Sequence, residues 1–231
     1  MKKKFQHIYK LNLLVLLYFT SIPQAISQTN TVSMELLFQK AGLVDVQSIE
    51  PAIRVNLSYS TENNFFGKKL YDDLRKCYLQ KEVAYKLAEA QKKLQLCMPG
   101  YSLLVFDGAR PRRVQYKMWA LVSGTAKQWF VARPGAGSMH NYGAAVDLTI
   151  LDNNSRELDM GTPYDYFGDL ARPDMEEKFL MQKKLAKYHL LNRRLLRKIM
   201  MEAGFKMIPN EWWHFDGFHP DQIKKKYQII E

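Results

Sequence analysis

Two stretches, "SMHNYGAAVD" at 138–147 and "EWWH" at 211–214, carry residue types that can hold a metal ion and run a hydrolysis. In the first, His140 and Asp147 stand seven positions apart around Gly143, Ala144 and Ala145. That lack of bulk permits a tight turn and a close approach of backbone to an ion. Asp147 falls inside the apolar run "AVDLTI", and a carboxylate buried there needs a positive partner. A cation would serve; so would an arginine, and the carboxylate could instead cap a loop. Hydrolytic zinc sites use three protein ligands, drawn from His and Asp or Glu, and leave the fourth position to water. A lone His–Asp pair is therefore half of a site at most.

The second stretch can supply the rest. Strand residues three apart point to opposite faces, so Glu211 and His214 reach one pocket only if Glu211 lies in the turn ahead of the strand. His214 would then complete a His140–Asp147–His214 set, leaving Glu211 free as general base. The competing reading is an aromatic core strand with an incidental histidine. His189 lies in a Lys-rich helical segment and reads as a surface residue; His219, in "GFHP", is the rival third ligand but sits in what reads as an exposed turn. In "DGARP" (107–111), Pro111 pushes Arg110 toward an extended conformation in a strand-end loop. Asp107 could orient it, and a guanidinium placed there can stabilise a developing oxyanion. Alone, Arg110 would read as a surface arginine.

The elements that must position these residues follow from apolar periodicity and turn signals. Helices are expected over 33–42, 81–96 and 112–122, with two more inside 175–204, where Leu191, Leu195, Leu196, Ile199, Met200 and Ala203 supply an apolar face. Strands are expected over 52–59, 101–107, 144–151, "FKMI" and 212–217. Strands joined by hairpins and flanked by helices imply an α+β fold: a single domain with a mainly antiparallel sheet and the metal site at the sheet face.

The N-terminus reads as a signal peptide over residues 1–27: a basic "MKKKFQHIYK", an apolar "LNLLVLLYFTSI" and small residues in "AIS" before Gln28. Cleavage there leaves 28–231 as one domain, exported to the periplasm or secreted, with no cysteine for a lipid anchor and no stable membrane attachment. Lys2, Lys3, Lys4 and Lys10 leave with the signal, so the net charge of +11 falls to +7. The remaining positive residues are scattered, which argues against nucleic acid as a partner. A helix between Cys77 and Cys97 separates them by about 20 Å, far beyond disulfide reach, so both are expected to be free and mostly buried.

S-x-H-x-x-G-x-A-x-D in "SMHNYGAAVD" followed by E-x-x-H in "EWWH" resembles the zinc peptidases of the D-alanyl-D-alanine dipeptidase family, which includes the dipeptidase of vancomycin resistance. "SYSTENNFFGKKLY" (58–71), "FDGARPRR" (106–113), "MGTPYDYF" (160–167) and "NRRLLRKIMMEAGF" (192–205) extend the resemblance over roughly 45–220. It implies one Zn2+ per chain on His140, Asp147 and His214, Glu211 as general base and Arg110 as transition-state stabiliser. Tyr59, Ser138 and Asp165 would position a small dipeptide, Asp165 facing its ammonium and Ser138 its carboxylate. The expected activity is hydrolysis of D-Ala-D-Ala, in an exported enzyme serving turnover or scavenging of cell-wall peptides. The alternatives are a D,D-carboxypeptidase acting on longer stem peptides and a non-catalytic, zinc-stabilised wall-binding module. Oligomeric state has no signature in the sequence.

Overall fold

A computed structural model describes residues 33–72, 74–135 and 137–231; the expected signal segment lies outside them. In chain order these residues form α1 (Met34–Lys40), β1 (Val44–Asp45), α2 (Val46–Ile49), β2 (Arg54–Val55), β3 (Tyr78–Leu79), α3 (Lys81–Cys97) and β4 (Ser102–Asp107). Then come α4 (Arg112–Val122), β5 (Ala145–Leu151), α5 (Glu176–Met181), α6 (Lys187–Glu202), β6 (Lys206–Met207), β7 (His214–Asp216) and α7 (Pro220–Lys226). The fold is α+β. A five-stranded sheet has the order β2-β4-β5-β7-β6, and β1 pairs with β3 in a small second sheet.

The antiparallel description holds in part. β4–β5, β5–β7 and β7–β6 are antiparallel, but β2 joins the edge parallel to β4. Only β6 and β7 are connected locally; α4 and a long loop intervene between β4 and β5, because that connection carries His140. The strand expected over 52–59 shrinks to Arg54–Val55 and gives way to a 3-10 turn at Ser58–Ser60 that buries Tyr59. An edge strand needs no longer pairing than its neighbour offers, and the chain turns away to build the site.

The core lies between the sheet and α3 and α6, which also pack on each other. Val83, Leu87, Ala90 and Leu94 are fully buried on α3, at the 3.6-residue spacing of one helix face. On α6, Leu196, Ile199 and Met200 are buried as expected, but Leu191 is 53% exposed while Arg193 is buried. Arg193 tolerates burial because its Nε and Nη2 donate to the carbonyls of Met160 (2.6 Å) and Leu170 (2.9 Å). Cys77 and Cys97 are both free; Cys77 is buried, whereas Cys97, the last residue of α3, is exposed, contrary to expectation.

β5 is the central strand and all seven of its residues are buried, as a strand covered on both faces requires. Its register places Asp147 opposite His214 of β7 and opposite Asp107 of β4. The register of β4 shifts between Val105 and Asp107: Val105 pairs with Leu148, yet Asp107 pairs with its neighbour Asp147. This bulge at Phe106 turns Asp107 onto the face that Asp147 uses, since directly paired residues share a face. Asp107, Asp147 and His214 thus form a row across three adjacent strands.

Candidate active site

The metal-binding candidates converge from three places: β5 (Asp147), β7 (His214) and a 3-10 turn at Met139–Tyr142 (His140). Ser138 caps that turn. Its N–H donates to Asn141 Oδ1 (2.8 Å) and its Oγ accepts from the His140 N–H (3.4 Å). Gly143 ends the turn in the left-handed conformation (φ 63°), and a Cβ there would lie 2.7 Å from Leu43 Cδ2. Gly143 therefore provides the reversal and a close packing on Leu43.

His140 Nδ1 is 2.8 Å from the Gly108 carbonyl oxygen. A carbonyl only accepts, so Nδ1 carries the proton and the lone pair of a neutral ring sits on Nε2. His140 Nε2 lies 3.3 Å from Asp147 Oδ1 and 3.2 Å from His214 Nδ1; His214 Nδ1 lies 2.9 Å from Asp147 Oδ1. The other ring nitrogen of His214, Nε2, is 2.9 Å from Asp216 Oδ1. Two nitrogens and one oxygen, all buried, thus meet with separations close to the roughly 3.3 Å expected between ligands of a tetrahedral ion bound at about 2.0–2.1 Å. Burial disfavours the charged His214 ring, but its hydrogen bonds to Asp147 and Asp216 outweigh burial and hold the imidazole well above its ordinary value; a cation bound among the three atoms would take the place of that proton. The residues fit a metal ion. Burial pushes the Asp147 carboxyl up, but His140 and His214 outweigh burial and hold it well below the usual carboxylate range.

Among the described residues no arginine pairs with Asp147. Arg110 is engaged by Asp107, which is fully buried. Asp107 Oδ2 accepts from Arg110 Nε (3.0 Å) and Nη2, while its Oδ1 accepts from the Tyr71 hydroxyl and the Gly108 N–H (2.9 Å). Gln115 Oε1 accepts from Arg110 Nη1 (2.9 Å). Burial disfavours the Arg110 charge, but Asp107 together with Tyr71, Tyr59 and Tyr164 outweighs it and keeps the guanidinium protonated. The two loops are tied by Asn141, whose Nδ2 donates to the Arg110 carbonyl (2.8 Å), and by the Arg110 N–H, which donates to the His140 carbonyl (3.0 Å).

Tyr59, Arg110, Ser138, Asp165 and Glu211 line the same cavity of about 190 Å³ as His140, Asp147 and His214. Asp107 stands behind Arg110 and does not line it. Glu211 precedes β7, separated from His214 by the bend at Trp212–Trp213, which is the condition for both to face one pocket. Burial raises its carboxyl above the usual range, the direction that suits a proton shuttle. Asp165 accepts from the Tyr59 hydroxyl (2.8 Å) and holds a left-handed backbone (φ 58°). Burial, then the neighbouring Asp147 charge, keep its carboxyl well above the ordinary value. His219 is exposed at the start of α7, away from the cluster. His189 is half-buried rather than at the surface, its Nε2 3.1 Å from Asp159 and its Nδ1 accepting from the Ala186 N–H.

Sequence reasoning missed Asp216, Tyr164, Tyr71, Gln115 and Asn141. Asp216 was open to discovery: on a strand beginning at His214 it must share that residue's face. The others reach the site from distant segments. Tyr164 donates to the second oxygen of Asp147 (Oδ2, 3.2 Å), a contact across a loop that no local pattern announces.

A family model described as D-ala-D-ala dipeptidase matches residues 39–229. A D-alanyl-D-alanine dipeptidase of Escherichia coli (strain K12) is 33% identical, the alignment covering 75% of this chain and 83% of that protein. One of Enterococcus faecalis is 28% identical over 78% of this chain and 95% of its own length. One of Enterococcus faecium is 27% identical over 75% and 90%. With a family match over residues 39–229 and a His–Asp–His cluster that could hold a metal ion, the chain belongs to the D-Ala-D-Ala dipeptidase family of metal-dependent peptidases.

Proposed function

We propose that this protein hydrolyses D-Ala-D-Ala to two D-alanines with zinc held by His140 Nε2, Asp147 Oδ1 and His214 Nδ1. The observation that carries the reading is the convergence of Glu211, Arg110 and those three ligands on a cavity of about 190 Å³, below the roughly 300–1,000 Å³ of sites for drug-sized ligands. The small volume favours a dipeptide over the longer stem peptide of a D,D-carboxypeptidase. Two nitrogens and a carboxylate in near-tetrahedral spacing favour zinc among the available divalent ions. Bound there, zinc would polarise the scissile carbonyl and acidify the attacking water.

The chain's own residues supply the rest. Glu211 takes the proton of the attacking water and delivers it to the leaving amine. Arg110, held rigid by Asp107 and Gln115, donates to the oxygen on which negative charge develops. Asp165, steadied by Tyr59, faces the substrate ammonium, and the Ser138 hydroxyl faces the carboxylate through charge-assisted hydrogen bonds. A zinc-reconstituted assay on D-Ala-D-Ala, L-Ala-L-Ala and a D-Ala-D-Ala-terminated pentapeptide tests this: turnover is expected of the first alone. Equal rates on the L,L-dipeptide would overturn stereospecific recognition.

Residues 1–27, read as a signal peptide, support a location outside the cytosol, where the enzyme would recover D-Ala-D-Ala released by cell-wall turnover. A cytosolic product with an intact N-terminus, found by cell fractionation and mass spectrometry, would overturn that role.

A further inference from the structure

Asp165 belongs to two cavities. It lines the catalytic one, and it also lines a larger neighbour of about 550 Å³ together with Asn63, Phe65, Phe106 and Tyr164. Tyr164 stands between them. On the neighbour's side its ring stacks on Phe106, centroids 4.7 Å apart. On the catalytic side it meets Trp213 edge-on at 5.6 Å and Tyr59 at 6.5 Å, both of which line that cavity. Its hydroxyl lies 3.2 Å from Asp147 Oδ2 and 3.3 Å from the Tyr59 hydroxyl, so the tip is held as well as the faces.

We propose that Tyr164 is the partition that ends the catalytic cavity at the length of a dipeptide, and that removing its ring opens the way for D,D-peptides extended at the amino end. The proposal rests on the D,D-dipeptidase reading. A substrate whose ammonium meets Asp165 has its amino end at the shared wall. A residue added at the amino end is directed at that wall, since Asp165 is common to both cavities. Beyond the wall lies the needed volume, bordered by the polar side chains of Asn56, Ser58 and Asn63, which can serve a peptide group. Tyr164 is thus a specificity-determining residue: its ring denies the space, whatever its hydroxyl does for Asp147.

The test uses zinc-loaded enzyme and compares kcat/KM for N-acetyl-D-Ala-D-Ala with that for D-Ala-D-Ala, read as released D-alanine. Tyr164→Ala is expected to raise this ratio by about tenfold or more, the scale on which pocket shape discriminates substrates. Tyr164→Phe, which keeps the ring, is expected to leave the ratio as in the wild type. An unchanged ratio in Tyr164→Ala, or an equal gain in Tyr164→Phe, overturns the partition. Tyr164→Leu replaces the alanine variant if circular dichroism shows that Tyr164→Ala does not fold. If turnover is lost altogether, calorimetric binding of N-acetyl-D-Ala-D-Ala is compared between Glu211→Gln and Glu211→Gln/Tyr164→Ala. Binding gained in the double variant supports the partition and no gain overturns it. A wild type that cuts the dipeptide while the ratio stays fixed refutes the partition only; a wild type that leaves D-Ala-D-Ala intact refutes the functional reading itself.

Discussion

His214 Nε2 lies 2.9 Å from Oδ1 of Asp216, two residues farther along β7, and this contact turns the opposite nitrogen, Nδ1, toward Asp147. Both ring nitrogens face carboxylates, so Asp216 accepts the Nε2 proton and Nδ1 would serve as a ligand when a cation joins it to Asp147. Asp216→Asn is expected to weaken zinc binding by about 10–100-fold, measured by competition with a chromogenic chelator. Unchanged affinity would mean that packing alone holds the ring.

Glu211 touches no member of the ligand cluster in the way a fourth ligand would; it faces the cavity from the turn before β7. Glu211→Gln is therefore expected to lower kcat by at least about 10²–10⁴ while one zinc per chain is retained by atomic absorption. Loss of zinc along with activity would reassign Glu211 to metal binding.

Asp165 is a costly residue for the fold. Burial and the Asp147 charge raise its carboxyl, so the folded chain disfavours its ionised form. The contribution of Asp165 to the stability of the metal-free protein is fully present below the ordinary carboxylate range and is lost as pH rises through the raised value. Asp165→Asn removes that cost. It is expected to raise the metal-free Tm at pH 7 by about 2–4 °C, corresponding to about 1 kcal/mol, with no gain at pH 4. The same change is expected to lower kcat/KM for D-Ala-D-Ala by about 10–100-fold through loss of a charged hydrogen bond to the ammonium. A Tm gain that persists at pH 4 would point to packing instead of charge.

Gly143 is held at φ 63° against Leu43. Gly143→Ala combines a left-handed non-glycine residue with a steric clash and is expected to cost about 1–3 kcal/mol, read as a lower urea midpoint at constant slope. Because this turn aims His140, zinc affinity should fall with it. A stable variant with weakened zinc binding would separate the two effects.

The long helices and the strands at 101–107 and 144–151 were legible because their apolar periodicity is local and strong: α4 runs from Arg112 to Val122 as its pattern demands. The edge strand at 52–59 was not, since alternation over eight residues says nothing of how much pairing the neighbour provides. Leu191 misled for a similar reason. A hydrophobic residue at helical spacing reads as core, yet Leu191 is 53% exposed in the folded chain. The 190 Å³ cavity unites Glu211, Arg110 and the ligand set, residues the sequence could group by chemistry but not by distance.

Residue types and short-range spacing alone determined the long helices, the central strand, the free thiols and the chemical character of the site. A histidine, a buried aspartate and an E-x-x-H turn have few joint uses. Tertiary structure decided the row of Asp107, Asp147 and His214, because strand register and the bulge at Phe106 arise from pairing between segments far apart in the chain. It also decided which nitrogen each histidine offers, since the partners that fix those protons, the Gly108 carbonyl and Asp216, act through space. Local pattern is written in one segment at a time, whereas lone pairs converge only when several segments are folded together.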